Sequence, residues 1–223
     1  KKEKNLITKR GVLNNVGAIK PPFRKEIMKK SSALAYVGHN ERSDREKDDF
    51  YPTPSEATQA LMDRQKFEGN IYECACGNGA MSEVMIRNGY NVYSSDLIDR
   101  GYGKSNVNFL TQDYSIMDID NIITNPPFNL STEFTIRALS LAKKKVCMLN
   151  KLSYLEGIKR KELIFDKNKL EKVLVFSRRV PFKKESTNTK AAGLMAFAWF
   201  IYDVNYNGKP TIDWIWKETK NIN

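Results

Sequence analysis

The segment IYECACGNGAMSEVMIRN, residues 71–88, passes from an apolar run through a glycine turn into an amphipathic repeat. Ile71 to Ala75 reads as a strand and Gly77-Asn78-Gly79 as a tight turn. Ala80 to Asn88 reads as a helix that Gly89 ends. Such a passage places small residues and backbone N–H groups at the carboxyl end of a first strand, where open α/β sheets bind ligands. It is not the dinucleotide fingerprint, because Ser82 stands at the third glycine position. It is not a Walker A loop, because no Gly-Lys-Ser/Thr follows.

Working outward, the same alternation continues downstream. Residues 91–95, 107–110, 121–124 and 145–149 read as further strands, and 134–142 and 155–165 as helices. Residues 170–177 and 194–202 are the last two strong strand candidates. Alternating strands and helices predict a mostly parallel sheet with helices on both faces. Upstream, Thr53-Pro54-Ser55-Glu56 reads as a helix start with Thr53 as N-cap. Residues 1–48 carry Gly11, Gly17, Pro21, Pro22 and Gly38 with little periodicity, so they read as an arm ahead of one domain, 49–223.

Charge narrows the function classes. The 223 residues carry a net +11, unevenly spread. Residues 1–48 hold 13 basic and 6 acidic side chains, residues 49–142 hold 6 and 12, and residues 143–190 hold 15 and 5. Two basic blocks around an acidic one suggest a polyanionic partner such as nucleic acid. No run is long enough to span a bilayer, and no signal-peptide pattern opens the chain, so a cytoplasmic protein without a membrane partner is expected. Lys1 rather than Met stands first, which reads as a trimmed start. The three cysteines, Cys74, Cys76 and Cys147, suggest a reducing compartment. One histidine, His39, argues against a Ser-His-Asp triad or a His-rich zinc site, and no metal is expected.

Two further places carry chemistry. Asp96 ends the second strand, roughly 20 positions after the glycine turn, the spacing at which an acidic residue reaches ribose hydroxyls. Asn125-Pro126-Pro127-Phe128 follows the apolar pair Ile122-Ile123. Two prolines fix the backbone, so the preceding carbonyls hold one direction. The Asn125 oxygen and a proline carbonyl can then accept both hydrogens of one amino group, and Phe128 offers a flat face for a planar ring.

Together these motifs resemble the S-adenosylmethionine-dependent N6-adenine DNA methyltransferases, most closely the small enzymes of phages and prophages. The resemblance covers residues 49–203. It rests on Phe50-Tyr51-Pro52-Thr53-Pro54, the glycine segment with Glu73, Asp96, Asp113-Tyr114 and Asn125 to Phe128, in that order. One departure is Cys74, where the family often has Pro. The resemblance implies a class I methyltransferase (Rossmann-like) fold: a seven-stranded sheet with one antiparallel strand, ending in a hairpin of the last two strand candidates. It implies that Phe50, Tyr51 and Thr53 line the methionine end of S-adenosylmethionine and that Glu73 faces its ammonium. It implies that Gly77 and Gly79 let the backbone approach the cofactor. Asp96 would hold the ribose, and Asp113 the adenine amino group. Asn125, Pro126, Pro127 and Phe128 would be catalytic, acting on an adenine flipped out of duplex DNA.

The segment from Ser177 to Lys190 is a basic loop between two strands, and Arg178, Arg179, Lys183 and Lys184 are its candidate phosphate contacts. No separate target-recognition domain fits in this length. Specificity would fall to that loop, to the arm, or to a partner chain or second copy. RNA adenine methylation is an alternative activity. A nucleic-acid-binding protein retaining a cofactor pocket without turnover is an alternative of another class.

Overall fold

The computed structural model describes residues 50–167, 169–182 and 195–216. The predicted arm, His39 and the loop lysines Lys183 and Lys184 lie outside these residues. Seven strands form one sheet: β1 (Ile71–Glu73), β2 (Val92–Ser94), β3 (Asn121–Thr124), β4 (Lys145–Lys151), β5 (Leu170–Phe176), β6 (Phe197–Asp203) and β7 (Thr211–Ile215). Their order is β2-β1-β3-β4-β6-β5-β7. Only β6 runs against its neighbours, β4 and β5; every other pairing is parallel.

Side-chain alternation divides the core into two layers. Ile123, Cys147, Leu149, Trp199 and Ile201 face helices α1 (Ser55–Arg64) and α2 (Ala80–Arg87). Ile122, Val146, Met148, Phe200 and Tyr202 face α3 (Ser131–Leu141). The run from Phe197 to Tyr202 is buried on both faces because β6 is central. Trp199 is buried and donates its indole N–H to the Ala57 carbonyl at 2.9 Å, tying α1 to the sheet. Among the described residues no helix is long and apolar enough to cross a membrane.

Three elements differ from the sequence reading. Residues 107–110 form no strand. Asn108 accepts N–H bonds from Thr111 and Gln112 in a turn, and only an isolated bridge, Ser95 to Lys104, extends the sheet there. Val107 and Phe109 are nevertheless buried, so the apolar signal marks core loop rather than strand. The hairpin of β5 and β6 does form, but the sheet continues past β5 to the exposed strand β7. The expected helix 155–165 is broken at Gly157, whose φ is +119°, leaving only α4 (Ile158–Leu163) as regular helix.

Candidate active site

The chain leaves β1 toward β2 and returns to β3 on the other side, so a crevice opens between the carboxyl ends of β1 and β3. Phe50 to Thr53, Glu73, Asp96 and Asn125 to Phe128 all line this one cleft, which holds about 1040 Å³ including its open mouth. Segments far apart in sequence therefore meet at the edge that the strand–turn–helix pattern marked.

Its floor is a relay of polar groups. Glu73 ends β1 and is buried. Ser82, in the first turn of α2, donates to Glu73 and is paired at 2.7 Å with Ser94 at the end of β2. Ser82 thus occupies the fingerprint's third glycine position in order to hold a carboxylate. Burial pushes the Glu73 carboxyl up to about 8, opposed mainly by the Ser82 hydrogen bonds. Among the described residues no ion pair reaches Glu73.

Asp96 fixes the glycine turn. Its Oδ2 accepts the Gly77 N–H at 2.8 Å and its Oδ1 the Ile98 N–H at 2.9 Å. Gly77 (φ +54°) faces the Phe50 ring, and Gly79 (φ +84°) faces the Tyr102 ring; a Cβ at either would run into it. Arg100 lies over Phe50, 4.1 Å from the ring centroid. The glycines thus make room for two rings of this chain, a reason the sequence did not reveal.

Across the cleft, Asn125 Nδ2 donates to Thr53 Oγ1 at 3.0 Å. That bond fixes the amide, and Asn125 Oδ1 is buried with no hydrogen-bond partner among the described groups. Thr53 is accordingly not the cap of α1: the helix begins at Ser55, Pro54 stands before it, and no side chain caps it. Phe128 packs against Phe197 with centroids 5.5 Å apart, and Lys151 Nζ lies 4.8 Å from the Phe128 centroid.

No family model matches the chain, and no curated protein does. Solved structures do. One, assigned as a class I S-adenosylmethionine-dependent methyltransferase from Listeria monocytogenes, is 13% identical with a TM-score of 0.53, over 79% of this chain and 68% of that one. Another, assigned as an RNA methyltransferase from Pyrococcus horikoshii, is 13% identical with a TM-score of 0.50, over 72% of this chain and 90% of that one. This is the class I methyltransferase fold.

Within the class I methyltransferase fold, most of the expected cofactor and catalytic residues line one cleft; Gly77 and Gly79 stand beside its lining residues Cys76, Asn78 and Ala80, and Asp113 lies apart from it. Asp113 is exposed at a turn, where its Oδ1 accepts the Ser115 N–H at 2.9 Å, and it does not line the cleft. That wall is made instead by residues 107–110. The cysteines are free and buried, and burial pushes the Cys76 thiol up to about 12, which suits packing rather than nucleophilic attack. Arg178 and Arg179 are exposed just after β5, at the same edge as the cleft, because β5 runs parallel to β4 across antiparallel β6. Val180 and Phe182 are buried and hold that segment down, Phe182 4.8 Å from Phe197. Arg178 also lies over the Trp216 ring at 5.1 Å. Arg100, Tyr102 and Lys151 were not singled out by the sequence, where none belongs to a spaced motif, and Ser82 was read there only as the residue that breaks the dinucleotide fingerprint.

Proposed function

We propose that this chain transfers the methyl group of S-adenosylmethionine to N6 of an adenine flipped out of DNA. The observation that carries this reading is Asn125 Oδ1: a buried acceptor without a partner, fixed by Thr53, at the mouth of a rigid Pro-Pro turn. Leaving such an atom unpaired costs stability, so its use is expected to be a donor supplied by substrate. The Pro126 carbonyl beside it can take a second hydrogen. An exocyclic amino group offers two.

The cleft also fits the cofactor. Glu73 is a buried carboxyl with no cation beside it among the described residues, held up near 8. An ammonium in the cleft would supply the missing countercharge. Asp96, with both oxygens anchored to backbone, keeps lone pairs for ribose hydroxyls. Bound, S-adenosylmethionine supplies an electrophilic methyl group.

Adenine N6 is a poor nucleophile because its lone pair is delocalised into the ring. Asn125 and the Pro126 carbonyl, by accepting both hydrogens, favour a pyramidal nitrogen with a localised pair. Those contacts strengthen as positive charge develops on N6, so they act on the transition state. N6 would gain the methyl group as the carbon–sulfur bond breaks and leaves a neutral thioether, and would give up a proton to water. Phe128 stacks the flipped base, and Arg178 and Arg179 hold phosphates outside the cleft.

Asn125→Ala tests this. It is expected to lower methyl transfer by at least 100-fold while cofactor binding, read by calorimetry, changes little. Full activity in the variant would remove the catalytic assignment.

A further inference from the structure

We infer that Arg100 binds the carboxylate of the cofactor's methionine end, so that the cleft selects a methyl donor with an intact amino-acid group. This rests on the reading of the cleft as an S-adenosylmethionine site and names what holds the second charge of that end. Two acidic side chains, Glu73 and Asp96, line the cleft, and Arg100 is the one cation among its described lining residues. A methionine end brings one ammonium and one carboxylate. Glu73 meets the ammonium. The carboxylate enters a cleft that already holds acidic groups, so it is repelled unless a cation faces it.

The fold delivers that cation. Residues 97–103 leave the end of β2 and return to it. The Asp96 N–H donates to the Lys104 carbonyl at 3.0 Å, and the Lys104 N–H donates to the Ser94 carbonyl at 2.9 Å. Gly103 (φ +66°) lies so close to the strand that a Cβ there would stand 2.7 Å from the Ser94 oxygen, and the Tyr102 ring packs on Gly79. Asp99 Oδ1 accepts the Gly101 N–H at 3.0 Å and turns the chain at Arg100. Arg100 is therefore carried by a short loop pinned at both ends. Its guanidinium lies over Phe50, 4.1 Å from the ring centroid, and the same ring packs on Gly77 of the glycine turn.

Stacking on a ring orients a guanidinium without using its N–H donors. Among the described residues no ion pair reaches Arg100, whether from Glu73, Asp96 or Asp99. A carboxylate fits the guanidinium fork with two parallel hydrogen bonds. Arg100 is half-buried, so the pair is stronger than one in open water.

The test is calorimetry on the full chain with two ligands: S-adenosylhomocysteine, and its decarboxylated analogue, which keeps the ammonium and lacks the carboxylate. The wild-type chain should bind S-adenosylhomocysteine at least about tenfold more tightly than the analogue, the worth of a hydrogen bond between charged groups. Arg100→Met should lose about tenfold on S-adenosylhomocysteine and almost nothing on the analogue, so that the preference disappears. Arg100→Lys keeps the charge and should keep most of the preference. Equal weakening of both ligands in Arg100→Met would make Arg100 a support of the loop and overturn the assignment. So would an unchanged preference in that variant, or a wild-type chain that binds the two ligands alike. A flatter salt dependence of DNA binding in Arg100→Met, with S-adenosylhomocysteine affinity unchanged, would move the residue to a phosphate instead. A wild-type chain that binds neither ligand would overturn the reading of the cleft itself, and that failure is seen before any variant is made.

Discussion

Thr53→Val separates two roles for one hydroxyl. From sequence, Thr53 reads as the cap of α1, and losing a cap costs about 0.5–2 kcal/mol of stability. In the structure α1 has no side-chain cap, and the Thr53 oxygen accepts the Asn125 amide at 3.0 Å. Valine keeps the shape of a buried side chain and removes only that acceptor. The Asn125 amide can then turn over and present its NH2 to the substrate amino group, donor against donor. One neutral hydrogen bond is worth about 1 kcal/mol, a factor of about 5. Losing a preorganised acceptor outright costs about 100-fold or more. The expected fall in kcat lies between these, about tenfold, with the melting temperature nearly unchanged and with Thr53→Ser close to wild type. The assay is single-turnover transfer of labelled methyl beside a thermal melt. A variant that keeps kcat but melts several degrees lower would restore the cap and refute the role assigned here.

Glu73 gives a pH prediction. Its carboxyl is raised in the folded protein, so the folded state holds a proton that the unfolded chain releases. Stability of the cofactor-free protein should therefore fall as pH rises from the ordinary carboxylate range toward about 8, and Glu73→Gln should remove that slope in melts across pH. The same variant should bind S-adenosylmethionine more weakly by calorimetry; unchanged affinity would remove Glu73 from the ammonium site. Reversing Arg178 and Arg179 to Glu should flatten the salt dependence of DNA binding by about 1.8, two contacts at about 0.9 each. An unaltered slope would take that segment out of the interface.

How far the sequence reaches depends on what kind of signal a residue carries. The glycine turn and the Asn125 to Phe128 tetrapeptide are local patterns that follow β1 and β3, and the sheet sets the ends of those two strands side by side at one crevice. Residues 107–110 misled because burial of Val107 and Phe109 gives the same apolar alternation whether the backbone pairs or turns. β7 was missed because it is exposed along almost its whole length and lacks the buried pattern of a strand. Asp113 shows the limit of carrying a role by resemblance: it stands at an exposed turn and does not line the cleft. Contacts across the fold, such as Thr53 to Asn125, Ser82 to Glu73 and Lys151 over Phe128, leave no trace in local periodicity. They appear only when the chain is folded and different elements are set side by side.

The most direct measurement is transfer of labelled methyl from S-adenosylmethionine to unmethylated duplex DNA, followed by digestion and identification of the modified nucleoside. The account predicts N6-methyladenine. Label on another nucleoside, label taken up by RNA alone, or a cofactor that binds without any transfer would contradict it.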